Sequence, residues 1–272
     1  MINILANDGI SQSGKDALDN AGFNISTITV AQEQLANHIQ SNDIAVLLVR
    51  SATTVRKDLI DRCPNLKIIG RGGVGMDNID VEYARSKGIN VINTPAASSS
   101  SVAELVFAHL YGGVRFLHES NRNMPLEGDS NFKKLKKAYA KGVELRGKTI
   151  GIVGFGRIGR ETAKIALGIG MKVLAYDKFL KEASITLNFS HEKSVEFNIK
   201  ISKFNYLLEN SDFISLHVPA QKEFIIDKKQ FELMKDGVGI INAARGGVLN
   251  EVELISALDS GKVSFAGLDT FE

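Results

Sequence analysis

A glycine-rich segment near the middle of the chain has the residue types and spacing of a dinucleotide-binding turn. Gly154, Gly156 and Gly159 form a G-x-G-x-x-G pattern, which alone is weak because the 272-residue chain contains 25 glycines. Its surroundings add weight: the apolar segment 149–153 precedes it, a helix-like segment follows, and a second apolar segment ends in Asp177. This order of strand, glycine turn, helix, strand and acid predicts an NAD-binding βαβ unit.

Each glycine of this pattern has a physical task. Gly154 permits the tight turn, Gly156 lets the backbone approach a pyrophosphate, and Gly159 lets the helix pack closely on the strand. The pyrophosphate would lie at the helix start, beside Arg157 and Ile158, where free N–H groups and the helix dipole favour an anion.

The acid that ends the second strand selects between two forms of the cofactor. Asp177 would accept hydrogen bonds from the adenosine ribose hydroxyls, and its charge would repel a 2′-phosphate. We therefore predict NAD rather than NADP. The alternative is a structural glycine turn followed by a surface acid.

Composition limits what such a chain does. Hydrophobic residues make up 44% and charged residues 24%, and the formal net charge is +2, so neither nucleic acid nor membrane is an expected partner. No apolar run approaches the roughly 20 residues of a membrane span, and the N-terminus does not resemble a signal peptide. The single cysteine, Cys63, excludes an internal disulfide and a thiolate metal cluster. We expect a cytoplasmic protein that acts on a small molecule and binds no metal.

Short β-rich segments alternate with helix-like segments, which predicts an α/β fold with two doubly wound parallel-sheet domains. A serine run at 98–101 marks the expected boundary, giving domains 1–98 and 99–272. An apolar helix should follow over about 101–118, capped by Ser101, and then an irregular polar stretch over 120–148. The expected strands are 2–5, 25–30, 44–49, 67–70 and 90–92, then 149–153, 172–176, 195–201, 213–216, 238–242 and 264–269.

Several long segments, taken together, resemble the D-isomer-specific 2-hydroxyacid dehydrogenase family, and within it the D-3-phosphoglycerate dehydrogenases. The resemblance implies a flavodoxin-like substrate-binding domain over 1–98 and a Rossmann NAD-binding domain over 99–272. It also implies oxidation of D-3-phosphoglycerate by NAD to 3-phosphohydroxypyruvate, which enters serine biosynthesis. The segments are RSATTV, GRGGVGMDNIDVEYARSKGINVINTP, SVAELVFAHL, SDFISLHVP, INAARGGVLNEVELISALDSG and AGLDTF.

The resemblance matches Arg245 to the arginine that holds the substrate's carboxylate and carbonyl oxygen, which makes it the catalytic candidate. Arg245 also follows an expected strand, so it should lie at the carboxyl edge of the sheet, where ligands bind in such folds. A guanidinium fork suits a carboxylate. Further cofactor contacts are implied at His217, Val218, Pro219, Ala243, Ala244, Arg245 and Asp269.

Other matched residues imply substrate contacts. The backbone of Gly73, Val74 and Gly75 would receive the substrate carboxylate, because successive amides in a glycine turn bind anions; Val74 would also touch the cofactor. Arg50 and Arg71 match residues that face the phosphate and carboxylate.

A lysine-rich stretch has two readings that the sequence leaves open. Lys137 matches a residue that reaches the neighbouring subunit's substrate in some relatives, and we expect a homodimer through the helix over 101–118 and the arm after it. The other reading of the five lysines is a solvated helix face. They are Lys133, Lys134, Lys136, Lys137 and Lys141.

The chain departs from the family at its proton-transfer residues. The family glutamate stands five residues after the aspartate matched by Asp269, beyond Glu272, and none of the five histidines matches the catalytic histidine. The stretch that returns to complete the first domain has no counterpart either. The chain therefore resembles a phosphoglycerate dehydrogenase cut short, and we expect it to be nearly inactive.

Two alternatives remain. One is another D-2-hydroxyacid dehydrogenase, or a glyoxylate or hydroxypyruvate reductase, on the same scaffold. The other is a non-catalytic NAD-sensing binding protein of the corepressor type, which the missing proton-transfer residues favour.

Overall fold

The computed structural model describes residues 1–190, 193–220 and 222–272. The chain forms two compact units, Met1–Ser98 (unit 1) and Ser99–Glu272 (unit 2). Each unit contains a five-stranded sheet whose paired strands are all parallel. The predicted α/β fold with two parallel-sheet units is confirmed.

Unit 1 alternates strands and helices along its whole length. Its strands are β1 (Asn3–Ala6), β2 (Asn24–Ser26), β3 (Ile44–Val49), β4 (Ile68–Arg71) and β5 (Asn90–Asn93). Its helices are α1 (Gln12–Asn20), α2 (Gln32–Ser41), α3 (Lys57–Arg62) and α4 (Val81–Ser86). The strand order is β2-β1-β3-β4-β5, so the sheet grows in both directions from β1 and β3.

The two faces of the unit 1 sheet are covered unequally. Side chains of one face, such as Leu5 and Val91, join a core with buried residues of α2, α3 and α4. The opposite face has a smaller core around Ile4, to which Leu18 of α1 contributes. Beyond α1 this face is thinly covered, and Ile92 of β5 is 56% exposed.

Unit 2 has the same layered plan around a second sheet. Its parallel strands are β6 (Thr149–Val153), β7 (Lys172–Tyr176), β10 (Phe213–Leu216), β11 (Val238–Asn242) and β12 (Val263–Leu268), in the order β12-β11-β10-β6-β7. Its helices are α5 (Ser99–Val114), α6 (Leu117–Tyr139), α7 (Arg157–Gly168), α8 (Phe204–Asn210), α9 (Lys228–Leu233) and α10 (Glu251–Asp259). An antiparallel ribbon, β8 (Glu182–Phe189) with β9 (Lys193–Lys200), lies between β7 and α8 in the chain.

The stretch over 120–148 was expected to be irregular; residues 120–139 are helical, so the prediction was wrong there, and residues 140–148 contain no helix or strand. Helix α6 runs through the first of these segments and bends at Asn131, whose backbone is not helical. The side-chain amide of Asn123 donates to the Tyr139 hydroxyl at 3.0 Å, which ties the two limbs together. Because Leu135 is the one buried residue described in α6, apolar spacing does not reveal this helix. The predicted cap was also misplaced, since α5 begins at Ser99.

The antiparallel ribbon was only half predicted, because β8 was missed. Its register pairs Ala183 with Ile199, Ile185 with Phe197 and Leu187 with Val195, which gives the ribbon one apolar face. Near the base of the ribbon this face is buried in the core that includes α7 residues, and Ile185 is 2% exposed. Near the tip the same face is open to solvent.

No helix in the described ranges combines the length and the apolar character needed to cross a membrane.

The buried base of the ribbon should contribute to stability, whereas its tip should not. Ile185→Ala should lower the free energy of unfolding of unit 2 by about 2–5 kcal/mol, because it leaves a cavity in the core. The matched control is Val195→Ala on the same face, where the side chain is 46% exposed. Urea unfolding followed by circular dichroism measures both changes, and equal losses would show that the ribbon is not anchored at its base.

Candidate cofactor and substrate sites

The turn between β6 and α7 brings backbone against backbone. Gly154 has a φ of +94°, and a Cβ there would lie 2.5 Å from the carbonyl oxygen of His217. A Cβ at Gly159 would lie 2.2 Å from the carbonyl oxygen of Gly154. Both positions therefore require glycine.

The start of α7 is open by contrast. Gly156 is the N-cap, and a Cβ there would meet no described atom within 4 Å. Gly156 and Arg157 are exposed, and Ile158 is half-buried. The first-turn N–H groups therefore adjoin open space, which is the local geometry that a bound anion uses.

The side chain of Asp177 is fixed beside this turn. One carboxylate oxygen accepts the N–H of Phe155 at 2.9 Å, and the other accepts the N–H of Phe179 at 2.9 Å. A carboxylate has about four acceptor positions, so others remain for a ligand's hydroxyl groups. A fixed acid next to an open helix start can hold a ribose near a phosphate.

His217 lies behind the glycine turn and is enclosed. Its Nε2 atom is 2.9 Å from the Ser215 hydroxyl and 3.3 Å from the Thr162 hydroxyl, and its Nδ1 atom is buried. Burial lowers the pKa of His217 to about 4, so the imidazole is neutral at physiological pH. Val218 lies next to Gly154, and the following Pro219 is exposed. With Nδ1 buried and Nε2 beside two hydroxyl groups, the imidazole of the half-buried His217 supports the turn.

A second turn, after β11, carries Arg245. The buried side chain of Asn242 donates to the Arg245 carbonyl oxygen at 3.0 Å and accepts the Ala244 N–H at 3.1 Å. The Arg245 guanidinium donates to the Ala244 carbonyl oxygen at 2.7 Å. A Cβ at Gly246 would clash with the carbonyl oxygen of Phe271, so this turn too has no room for a larger residue.

Two further predicted cofactor contacts adjoin this turn. Ala243 is 7% exposed and therefore contributes mainly backbone. Asp269 follows β12, is exposed, and donates its N–H to the Asn242 carbonyl oxygen at 3.0 Å. The ends of β11 and β12 thus lie side by side, at the same carboxyl edge of the sheet as the glycine turn.

Unit 1 has a cavity of about 690 Å³ at the carboxyl edge of its own sheet. Arg50 and Arg71 line it, and so do Leu48 and Ile92 of the thinly covered face. The Arg71 guanidinium packs against Gly73, where a Cβ would meet the Nη1 atom at 1.9 Å. The cavity is therefore lined by two arginines, by Asp8 and by apolar side chains.

The loop after β4 is held from the side of β5. The Gly73 N–H donates to the Thr94 hydroxyl at 2.8 Å, and the Asn93 side chain donates to the Val74 carbonyl oxygen at 2.7 Å. Gly75 continues this loop and is half-buried. Lys137 is elsewhere, on an exposed face of α6 in unit 2, as are Lys133, Lys134 and Lys136, whereas Lys141 follows the end of the helix and is also exposed.

The sequence analysis did not identify two residues that hold the backbone of an arginine, Asn242 at Arg245 and Asp8 at Arg50. Asn242 comes directly before the Arg245 turn, and an asparagine that ends a buried strand is a recognisable turn signal. Asp8 was also missed. Burial raises its pKa, but hydrogen bonds from Thr53 and from the backbone of Arg50 outweigh burial and hold the pKa of Asp8 below its ordinary value of 3.8.

Comparison with known proteins identifies the family. A family model described as "D-isomer specific 2-hydroxyacid dehydrogenase, NAD binding domain" matches residues 107–272, which is more than half of the chain. The chain belongs to this family. It is an oxidoreductase family, and its cofactor here is NAD.

Relatives within the family carry more than one name. The chain is 39% identical to a D-3-phosphoglycerate dehydrogenase of Archaeoglobus fulgidus, over 99% of this chain and 48% of the relative. It is 44% identical to a hydroxypyruvate reductase of Thermotoga maritima, over 85% of this chain and 70% of the relative. The chain thus spans about half the length of the first of these relatives.

A solved member of the family has the same fold. The D-lactate dehydrogenase of Aquifex aeolicus, complexed with NAD and lactic acid, is 31% identical with a TM-score of 0.72. The match covers 99% of this chain and 77% of that structure.

The enclosed imidazole should make unit 2 less stable as the pH falls from 6.5 to about 4. Over this range the unfolded chain takes up a proton at His217 that the folded unit does not, because its pKa is about 4 instead of 6.5. The difference favours unfolding by up to about 3 kcal/mol. Urea unfolding at several pH values measures it.

The His217→Gln variant should remove most of this pH dependence, and His118→Gln, at an exposed site, should not. The carboxyl groups of Asp8 and Asp212, whose pKa values lie below 3.8, begin to lose their stabilising effect below about pH 5. Both variants keep these carboxyl groups, so the comparison between the variants isolates the contribution of His217. An unchanged slope in His217→Gln would contradict the assignment.

Proposed function

We propose that this chain acts in the NAD-dependent oxidation of D-3-phosphoglycerate to 3-phosphohydroxypyruvate, a step that feeds serine biosynthesis. The observation that carries the proposal is the unit 1 cavity, in which Arg50 and Arg71 face a space at the end of the sheet. Two guanidinium groups suit a substrate with a phosphate and a carboxylate. The relatives named D-3-phosphoglycerate dehydrogenase support this reading.

The residues of unit 2 fit the cofactor, because the helix start at Gly156 is open and the Asp177 carboxylate is fixed beside it. When bound, NAD would supply the hydride acceptor for oxidation of the substrate carbon. We assign the pyrophosphate to the first turn of α7 and the adenosine ribose to Asp177. The remaining contacts would come from Val74, Arg157, Ile158, His217, Val218, Pro219, Ala243, Ala244, Arg245 and Asp269.

Arg245 and the loop after β4 would bind the reacting end of the substrate. The guanidinium of Arg245 would stabilise the carboxylate and the oxygen that becomes a carbonyl. The backbone N–H groups of Gly73, Val74 and Gly75 would hold the carboxylate. The 272 residues contain no match to the family's histidine and glutamate for the hydroxyl proton, so by themselves they should react slowly.

A second candidate function is reduction of hydroxypyruvate or another small 2-oxo acid. It is favoured by the 44% identity to a hydroxypyruvate reductase. Hydroxypyruvate lacks the phosphate, so the two candidates differ in whether an arginine of this pair is needed for a phosphate. A purely NAD-sensing protein would need neither arginine.

NAD should bind more tightly than NADP, because Asp177 would face the 2′-phosphate of NADP with a like charge. Asp177→Ala should weaken NAD binding by about 1–3 kcal/mol and reduce the difference between the affinities for NAD and NADP. Asp259→Ala, at an exposed carboxylate on α10, should change neither affinity. Calorimetric titration measures all of these, and equal affinity of the unchanged chain for NAD and NADP would reject the role of Asp177.

Phosphorylated substrate should be preferred through the two arginines. Arg50→Ala and Arg71→Ala should each weaken binding of D-3-phosphoglycerate about 10- to 100-fold, because a charged hydrogen bond is lost. Replacing the arginine that contacts the phosphate should leave D-glycerate binding nearly unchanged, whereas replacing one that contacts the carboxylate should weaken D-glycerate binding as well. NADH formation at high enzyme concentration tests the reaction itself. A preference for D-glycerate would favour the reductase, and NAD binding with no reaction of either acid would favour the sensor.

We also propose a homodimer through α5 and α6, with Lys137 on this arm directed to the partner's substrate. The arm exposes large apolar side chains, including Leu126 at 79% and Phe132 at 51%, which a partner would cover. Light scattering should give about twice the mass of one 29.6 kDa chain. The mass of a single chain would reject the dimer.

A further inference from the structure

The backbone of Arg50 is held from both sides by polar side chains of unit 1. Its N–H donates to the carboxylate of Asp8 at 2.6 Å. Its carbonyl oxygen accepts the side-chain amide of Asn78 at 2.8 Å. The base of this arginine is therefore fixed at the point where the chain leaves β3 and enters the cavity wall.

The carboxylate of Asp8 is held in turn by Thr53. The Thr53 hydroxyl donates to one Asp8 oxygen at 2.5 Å, and the Thr53 N–H donates to the other at 3.1 Å. With the Arg50 N–H, three donors converge on one carboxylate. Asp8 thus closes the loop between Arg50 and Thr53 into a fixed shape.

A second layer of hydrogen bonds fixes Thr53. The Thr53 hydroxyl accepts the side-chain amide of Asn7 at 2.9 Å, and both residues are buried, with exposures of 4% and 3%. Asn7 also accepts the Val30 N–H at 2.8 Å and donates to the Val30 carbonyl oxygen at 3.1 Å. The chain of contacts runs from Val30 through Asn7, Thr53 and Asp8 to Arg50. Its inner members, Asn7 and Thr53, are buried and hydrogen-bonded, which favours a rigid arrangement there, whereas Arg50 at its end is exposed.

The negative charge of Asp8 is unfavourable in a cavity that would bind an anion. Asp8 lines the same cavity as Arg50 and Arg71, where a negative charge opposes the binding of any anion. A carboxylate at this place weakens anion binding through its charge. The three hydrogen bonds that it accepts from Arg50 and Thr53 indicate a structural task that can outweigh this effect.

We propose that Asp8 is a positioning residue for Arg50, holding the backbone from which the guanidinium reaches an anionic substrate. The inference rests on the proposed phosphate-binding role of Arg50. It predicts a change in anion affinity opposite in direction to the change expected from charge alone. Replacing Asp8 by a neutral residue should weaken anion binding, although it removes a negative charge from the cavity.

The test is calorimetric titration of the whole chain with D-3-phosphoglycerate. Asp8→Asn keeps the size of the side chain but offers one acceptor oxygen where the carboxylate offers two, so it should weaken binding about tenfold. NAD affinity should stay the same. The matched control is Asp19→Asn, at an exposed carboxylate on α1, which should change neither affinity.

A double-mutant cycle separates positioning from general damage. In an Arg50→Ala background, Asp8→Asn should cause no further weakening, because the residue through which it acts is gone. Additive losses would show that Asp8 acts elsewhere. If Asp8→Asn does not fold, Asn78→Ala releases the opposite side of Arg50 and should weaken D-3-phosphoglycerate binding in the same direction, with the thermal midpoint as a check on folding.

The two proposals fail in different ways. Unchanged or tighter binding in Asp8→Asn, with weaker binding in Arg50→Ala, overturns the role of Asp8 alone. Unchanged binding in Arg50→Ala, or no binding of D-3-phosphoglycerate by the unaltered chain, overturns the phosphate site and the positioning role together.

Discussion

The geometry of unit 2 depends on one contact, the approach of α7 to the turn that follows β6. Backbone touches backbone there, because Gly159 has no room for a Cβ beside the Gly154 carbonyl oxygen. That contact sets where α7 begins. It also positions the N–H of Phe155, which donates to the Asp177 carboxylate. The His217 carbonyl oxygen packs against Gly154 in the same turn. Helix start, acid and supporting strand end are therefore positioned together.

Much of this arrangement could be predicted, because the signals are local. Buried parallel strands are continuous apolar runs, so β3, β6, β7, β10 and β11 were placed with their bounds exact. Residues that directly follow such runs must lie at one edge of the sheet. That rule placed Arg245 at the carboxyl edge of the unit 2 sheet, in the turn after β11.

What was missed depends on partners distant in the sequence. Asp8 contacts Arg50 and Thr53, more than forty residues away, and no spacing rule connects them. The limbs of α6 are held by a contact between Asn123 and Tyr139, whereas its sequence is polar almost throughout. The strand β8 alternates apolar and polar residues over eight positions, but only Ala183 and Ile185 are buried, so it lacks the continuous apolar run that marked the other strands, and its partner β9 lies in a separate segment.

The unequal covering of the unit 1 sheet bears on how such a protein changes over evolution. Val91 and Ile92 are neighbours in β5, yet the first is in the core and the second is mostly exposed on the face that lines the cavity. Substitutions of exposed residues cost little folding free energy, whereas core substitutions cost several kcal/mol, on the order of 2–5. The wall of the cavity can therefore vary while the scaffold stays intact. Side chains on this wall can therefore change with little loss of stability, and relatives of the chain carry the names D-3-phosphoglycerate dehydrogenase, hydroxypyruvate reductase and D-lactate dehydrogenase.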